Sequence, residues 1–275
     1  MKDSEFEFIR TLVYERSRIL LDDRKRELVT ARLGKRMRVN QVDSMGDYCH
    51  LLRSPEQEEE RVQLIDAIST NHTFFFRELA HFDLVRDHII PEMAARASAE
   101  GWTRFDAWSA ACSSGEEAYS LAMTLASRLD GGGWPWQVEA TDISHRVLAA
   151  AQRAIYKEGA VTPHTPEWAM TGFQRGFGPQ LGHYRVKTAM RDRVNFRQLN
   201  LLEASPPFSS PLQLIFCRNV MIYFDRQTQE ELIARLTSHL VPGGYLIVGH
   251  SEGLSGVRHQ LQLVQPSVYR LPPAR

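Results

Sequence analysis

Apolar positions in the first 68 residues recur at intervals of three and four: Phe8, Leu12 and Val13, then Val29, Leu33 and Met37. That spacing places one stripe along one face of a helix. No proline precedes Pro55, and the Glu-rich run after it predicts a helix starting there. After about residue 102 the pattern changes to short apolar runs alternating with helical periodicity. Strands are predicted at 105–108, 138–142, 212–216 and 245–248, and helices at 115–129, 144–154 and 226–240. Pro242-Gly243-Gly244 predicts a turn before the 245–248 strand. Leu261, Leu263 and Val268 alternate as a last strand would within 260–270.

Strands alternating with helices predict an α/β fold, a doubly wound and mainly parallel sheet covered on both faces. The predicted organisation is an N-terminal helical domain over 1–70, a linker and connecting helix over 71–100, and an α/β domain over 101–275. Residues 155–193 interrupt the rhythm with glycines, prolines and aromatics. Their RGFGPQLGHYRVK segment predicts a small antiparallel β insertion.

Composition narrows the classes. The 275 residues carry 33 basic and 33 acidic side chains, so no global field draws the protein to nucleic acid or to a membrane. Cys49, Cys112 and Cys217 are far apart, with no CxxC, and are expected to be buried free thiols without a metal. The MKDSEFEFIR start is too charged for a signal peptide, and no apolar run reaches the roughly 18 residues of a membrane span. A soluble, cytoplasmic monomer is expected, and the Asn71-His72-Thr73 sequon is read as chance.

The chemistry lies where strands end, the ligand-binding edge of an open α/β sheet. The first strand-to-helix turn, Ser109 to Glu117, has one glycine and two carboxylates. A pyrophosphate wants several glycines and no nearby anion; Glu116 and Glu117 suit the helix dipole or a cationic ligand group. Asp142 ends the next strand, where an acid can accept both hydroxyls of a ribose, or else cap the following helix. A nucleoside with a cationic head and no phosphate describes S-adenosylmethionine. Upstream, residues 69–78 read STNHTFFFRE. Three phenylalanines flanked by Asn71, Thr73 and Arg77 are either an inter-domain plug or an apolar wall with a polar rim facing a ligand.

These motifs taken together resemble the CheR-type methyltransferases, which methylate glutamate side chains of bacterial chemoreceptors. The resemblance covers nearly the whole chain. It rests on Asn71, Thr73, Phe75, Phe76 and Arg77, on ACSSGEEAYS, on Asp142-Ile143 and on Leu199-Asn200-Leu201-Leu202. It continues through FCRNVMIYFD from Phe216 to Asp225, Pro242-Gly243-Gly244 and Gly249-His250-Ser251-Glu252. Ser114 and Ala118 stand where the family has Thr and Pro.

The resemblance implies a class I S-adenosylmethionine-dependent methyltransferase releasing S-adenosylhomocysteine. It implies that Asn71, Thr73 and Arg77 face the cofactor, that Glu117 holds its amino group and Asp142 its ribose, and that Asn200 and Leu201 flank the adenine. Arg218, Asn219 and Tyr223 line the catalytic floor, with Arg77 and Tyr223 as the catalytic pair. Implied partners are the glutamate-bearing cytoplasmic helices of a receptor, and a receptor C-terminal tail peptide at the β insertion.

Lys25, Arg32 and Arg36 share a helix face, with Lys35 beside it, and are expected to meet an acidic partner. Three rival readings compete with the CheR-type one: a non-catalytic S-adenosylmethionine-binding signalling module, a methyltransferase of another acidic or nucleic-acid substrate, and a hydrolase built on the Gly249-x-Ser251-x-Gly253 elbow. The last lacks an acid and then a histidine in the right order after the serine.

Overall fold

The structure is a computed structural model that describes residues 1–203, 208 and 210–273. Contacts divide the chain into two compact units, Met1–Thr70 with Tyr223–Gln229, and Asn71–Ile222 with Glu230–Arg275.

The first unit is helical: α1 (Asp3–Ser17), α2 (Arg26–Val39), α3 (Met45–Arg53) and α4 (Glu58–Ile68). The buried stripe of α1 is Phe6, Ile9 and Val13. Phe8 and Leu12 are only half-buried, and the Arg53 guanidinium covers the Phe8 ring. Val29 and Leu33 of α2 pack inward as predicted, against a core with Tyr48, Leu52 and Leu64. Ser44 starts α3 by accepting the Asp47 backbone N–H at 3.1 Å. Pro55 lies in the turn before α4 rather than inside its first turn, so the helix begins three residues later than its proline suggested.

Within this unit the basic face of α2 is largely turned inward. Arg36 and the Tyr48 hydroxyl both bond Glu60, at 3.0 Å and 2.6 Å. Arg32 donates to the carbonyls of Ile68 and Ser69 and to the Thr70 hydroxyl. Lys25 bonds the Leu20 carbonyl at 2.9 Å, and Lys35 is exposed. Arg32 and Arg36, expected to meet an acidic partner, are half-buried, and their guanidinium groups also bond within their own unit.

The second unit opens with the 71–78 segment and α5 (Leu79–Leu84). A π-turn at Val85–Ile89 then leads into α6 (Ile90–Glu100). Next come β1 (Phe105–Ala110), α7 (Glu116–Leu129), β2 (Trp136–Asp142) and α8 (His145–Arg153). The insertion supplies β3 (Ile155–Lys157), α9 (Glu158–Val161), β4 (Phe173–Arg175) and β5 (His183–Val186). It is followed by α10 (Thr188–Arg191), β6 (Val194–Gln198), β7 (Leu212–Cys217), α11 (Arg226–Ser238), β8 (Leu240–Val248), β9 (Gln262–Gln265) and β10 (Val268–Arg270). The first residues of α11 group with the helical unit.

Seven strands form one sheet in the order β6-β2-β1-β7-β8-β10-β9, and β3-β5-β4 form a second, small antiparallel one. The first five strands of the large sheet run parallel; β10 and β9 are antiparallel. Every residue of β1 and β7 is buried, as a parallel sheet covered on both faces requires. Successive crossovers run from β1 outward through β2 to β6, and from β7 outward to β8. The carboxyl ends of β1 and β7 therefore flank the topological switch point, where open α/β sheets hold ligands.

The predicted turn at Pro242-Gly243-Gly244 lies inside β8, where pairing with β7 shifts register. The predicted last strand is a hairpin, with Ser267 at φ 66° between β9 and β10. The three cysteines are buried and free. Among the described residues no helix is long and apolar enough to cross a membrane.

Candidate cofactor site

The three phenylalanines anchor the 71–78 segment to the second unit. Phe75 is fully buried and meets Tyr156 and Phe173 edge-on; Phe76 does the same with Phe82 and Trp168. The Phe76 N–H donates to the Ser120 hydroxyl of α7 at 2.9 Å. Such aromatic contacts contribute about 0.5–1.5 kcal/mol per pair beyond burial. The segment is therefore held by its apolar residues, leaving the polar ones to face elsewhere.

Three loops converge on the switch point. The first follows β1. It is stitched to β2 by the Cys112 N–H bonding the Thr141 carbonyl at 2.8 Å, and by the Ser113 N–H bonding Asp142 at 2.9 Å. The Ser113 hydroxyl reaches the Asn71 carbonyl at 3.2 Å. Gly115 has φ +95°, and a Cβ there would come within 2.8 Å of the Ala151 Cβ; only glycine lets this loop lie on α8. The other Asp142 oxygen accepts the Ser144 N–H at 2.9 Å. Helix α8 is capped by Ser144, not by Asp142, so the helix-cap reading of Asp142 falls away. Among the described non-glycine residues with positive φ, Phe76, Glu78, Ala111, Ser113 and Asn219 lie in these loops. Backbone strain of this kind persists where the surrounding packing over-determines it, and it gathers at functional sites.

The central feature is Arg218, immediately after β7, with its side chain 1% exposed. It pairs with Glu117 at 3.1 Å and with Glu78 at 3.0 Å, and donates to the Arg77 carbonyl. The second Glu117 oxygen accepts the Ser109 hydroxyl at 2.7 Å. Burial pushes the Glu117 carboxyl up, against the pull of Arg218 and Ser109. Burial also works on Glu78, but there the Arg218 charge and hydrogen bond win and its carboxyl is held down. His81 is pushed down to about 4 by burial and by Arg218. Glu116 bonds the Ser114 hydroxyl at 2.7 Å, outside this network.

A second buried carboxylate, Glu252, organises the floor. It accepts the backbone N–H groups of Asn219, of Gly249 at 2.9 Å and of Ile222 at 3.2 Å. These bonds hold Asn219 in its left-handed conformation at φ 59°. A Cβ on Gly249 would lie 2.6 Å from the Asn219 amide.

The structure thus brings together Asn71, the Arg77 backbone carbonyl, Glu117, Asp142, Arg218 and Asn219. Asn200, after β6, accepts the Leu202 N–H at 3.2 Å; Leu199 bonds the Asp142 carbonyl at 3.0 Å, placing Asn200 and Leu201 next to the end of β2. Thr73 lies two residues beyond Asn71 in the same segment, half-exposed. The Arg77 guanidinium bonds the His72 carbonyl at 3.1 Å and lies over the Phe74 ring, so its side chain stands apart from the Arg218 pair. Tyr223 groups with the helical unit, where Lys25 lies 5.6 Å from its ring centre and its carbonyl accepts the Leu20 N–H.

Sequence reasoning missed Glu78, Ser109 and Glu252. Glu78 stood in the quoted STNHTFFFRE stretch, and Glu252 in the quoted Gly-His-Ser-Glu stretch. Ser251 itself is exposed, and the described chain runs from β8 to β9 without the helix that a nucleophile elbow requires.

A cationic nucleoside fits the donor set. Glu117 uses two of the roughly four acceptor positions of a carboxylate and retains the others. The buried Asn71 amide nitrogen and Arg218 Nε lack partners in the protein, and buried donors rarely stay unpaired. A doubly wound sheet with acids after β1 and β2 and no glycine-rich phosphate loop defines a class I S-adenosylmethionine-dependent methyltransferase. Within that class the assignment is sharper. Residues 71–270 match the CheR methyltransferase, SAM binding domain, and residues 4–69 match the CheR methyltransferase, all-alpha domain. The chain belongs to the CheR methyltransferase family.

The chemotaxis protein methyltransferase of Escherichia coli is 41% identical over 271 residues, 98% of this chain and 92% of that protein. Chemotaxis protein methyltransferase 2 of Pseudomonas aeruginosa is 37% identical over 96% of this chain and 92% of its own length. The Borreliella burgdorferi chemotaxis protein methyltransferase is 35% identical over 94% of this chain and 91% of its own length.

Proposed function

We propose that this protein esterifies glutamate side chains on the cytoplasmic helices of chemoreceptors, using S-adenosylmethionine and releasing S-adenosylhomocysteine. The observation that carries the reading is the Arg218 network: one buried guanidinium between Glu117 and Glu78 at the switch point, with acceptor positions to spare. S-adenosylmethionine, when bound, supplies an electrophilic methyl group on a sulfonium.

The chain's own residues do the rest. Glu117 holds the ammonium end of the cofactor and Asp142 the ribose hydroxyls. Asn71, Thr73 and Arg77 meet its amino-acid portion, with Asn200 and Leu201 beside the adenine. Arg218 fixes Glu117 and the 77–78 backbone, and Asn219 is presented by Glu252. Arg77 and Tyr223 position the acceptor. A glutamate of ordinary pKa, about 4.3, is already ionised at neutral pH, so no residue need remove a proton. A positive sulfonium and a negative carboxylate both become neutral, so an apolar site that excludes water favours the transition state. Alignment is the main contribution required of the protein, worth roughly 7–11 kcal/mol in well-oriented systems.

For receptor docking, the α2 face offers Lys35 and the Lys25 ammonium; Arg32 and Arg36 contribute by shaping it. Strand β3 of the small sheet carries exposed Ile155, and the β4–β5 connection carries exposed Phe177 and Leu181, a surface suited to a tail peptide added as a strand. A cytoplasmic monomer accords with a chain of balanced charge. The test is incubation with methyl-labelled cofactor and receptor cytoplasmic fragments. Base-labile label on the fragment is expected, reduced at least about a hundredfold in Arg77→Ala. Base-stable label, or an Arg77→Ala variant with normal cofactor binding and turnover, contradicts the reading.

A further inference from the structure

The Arg218 network shares Glu78 with two histidines that the methyl-transfer reading does not use. Glu78, His81 and His250 each bring one ligand-type atom to within 4.8 Å of the others. Glu78 Oε2 lies 3.4 Å from His81 Nδ1 and 3.9 Å from His250 Nε2. The two imidazoles meet edge to face with centres 4.7 Å apart. Ligand atoms around a tetrahedral zinc, at about 2.1 Å from the metal, stand about 3.4 Å from one another. Small rotations of Glu78 and His250 would close the remaining gap.

The second observation is the state of His81. It is 1% exposed, yet neither ring nitrogen has a hydrogen-bond partner. At 3.4 Å its Nδ1 faces Glu78 without the alignment of a hydrogen bond. A buried imidazole with idle nitrogens calls for an acceptor, a donor or a metal. His250 has its side chain 57% exposed, which gives an ion a route in and leaves a coordination position for water. Two imidazoles and one carboxylate with an open position suit zinc and its neighbours; magnesium and calcium prefer all-oxygen sets.

We propose that Glu78, His81 and His250 form a site for a zinc-class transition-metal ion, and that its occupation competes with Arg218 for Glu78. The competition follows from geometry. The same Oε2 that faces both histidines accepts Arg218 at 3.0 Å, and one carboxylate oxygen cannot keep both cations at full strength. Metal binding therefore loosens Arg218, and through it Glu117. This second half rests on the proposed role of Glu117 and Arg218 in holding the cofactor; the metal site itself does not.

The experiment uses the full chain after chelator treatment. Zinc is titrated against a chromophoric chelator, and cobalt(II) serves as a visible-absorption probe of coordination. One ion per chain is expected, with the tetrahedral cobalt bands. The affinity should fall at least about tenfold in His250→Ala, whose exposed side chain can be removed without disturbing the core. Absence of saturable binding, or equal affinity in His250→Ala, overturns the site. S-adenosylhomocysteine is then titrated with and without saturating zinc. A drop of at least about fivefold in the parent, absent in His250→Ala, supports the competition; an unchanged affinity overturns it. A chain that binds zinc but never binds S-adenosylhomocysteine would sink the cofactor reading and leave the metal site standing.

Discussion

Two arginine–carboxylate clusters, one in each unit, show what separates a closed ion cluster from an unfinished one. Arg36 pairs with Glu60 in the helical unit, and Tyr48 completes the set. Arg218 pairs with Glu117 and Glu78 in the sheet unit. Charge type is alike. The difference lies in what is left over. Around Glu60 the Arg36 guanidinium and the Tyr48 hydroxyl point at one carboxylate, on regular helices. Around Arg218 there remain an unpartnered Nε, an unpartnered Asn71 amide and a histidine with two idle nitrogens, on loops with left-handed residues. A closed cluster stabilises; an unfinished one awaits a ligand.

The comparison can be broken most severely at Arg218. Arg218→Ala leaves Glu117 and Glu78 buried without their cation, which typically costs about 3–5 kcal/mol. Both S-adenosylhomocysteine affinity and methyl transfer should fall at least about a hundredfold. Calorimetric titration and labelled-methyl assays check this, and a variant within a few-fold of the parent would place the site elsewhere.

Next in size is Glu60→Gln. It removes the charge opposite Arg36 and should lower the stability of the helical unit by about 3 kcal/mol, by analogy with broken buried pairs, read in thermal or urea unfolding. S-adenosylhomocysteine affinity, measured well below the melting temperature, should stay within twofold. An affinity loss as large as in the Arg218 variant would erase the distinction between the clusters.

The mildest probe is acid. Burial raises the Glu60 carboxyl, but Arg36, Tyr48 and Asn40 together hold it below its ordinary value of 4.5. A carboxylate whose folded pKa is depressed adds stability that is complete above the unfolded pKa and disappears as pH falls through the folded one. Unfolding free energy should therefore decline below about pH 4.5, and Glu60→Gln should flatten that decline. Equal slopes for parent and variant would show that Glu60 is not the titrating group.

Much of this was legible in the sequence, for reasons that can be named. Strands β1 and β7 are short, wholly buried runs because both their faces are covered, β2 is buried at five of its seven positions, and helical periodicity frames them. Glu117 and Asp142 were legible because they sit at fixed offsets from strand ends. Strand β6 was not: it lies at the sheet edge and mixes Val194 with the polar Asn195, Arg197 and Gln198. The turn expected at Pro242-Gly243-Gly244 became part of β8 because Gly243, at φ +76°, lets the strand shift register without ending. The Arg36–Glu60 pair was not legible because nothing local reveals Glu60, 24 residues away. Glu78 and Glu252 escaped notice because their partners, Arg218 and the Asn219–Ile222 backbone, are distant in sequence.

The unfinished character of the Arg218 cluster is tested most directly at Glu117, through calorimetric titration of S-adenosylhomocysteine into the parent and Glu117→Gln. Glutamine keeps the shape; its one carbonyl oxygen can accept from Arg218 while its amide donates to the Ser109 hydroxyl oxygen, but it loses the charge offered to an ammonium group. A charge-assisted hydrogen bond contributes about 1.5–3 kcal/mol, so binding, measured well below the melting temperature of both proteins, should weaken by about tenfold to a hundredfold. Equal affinity in the two proteins would contradict the account.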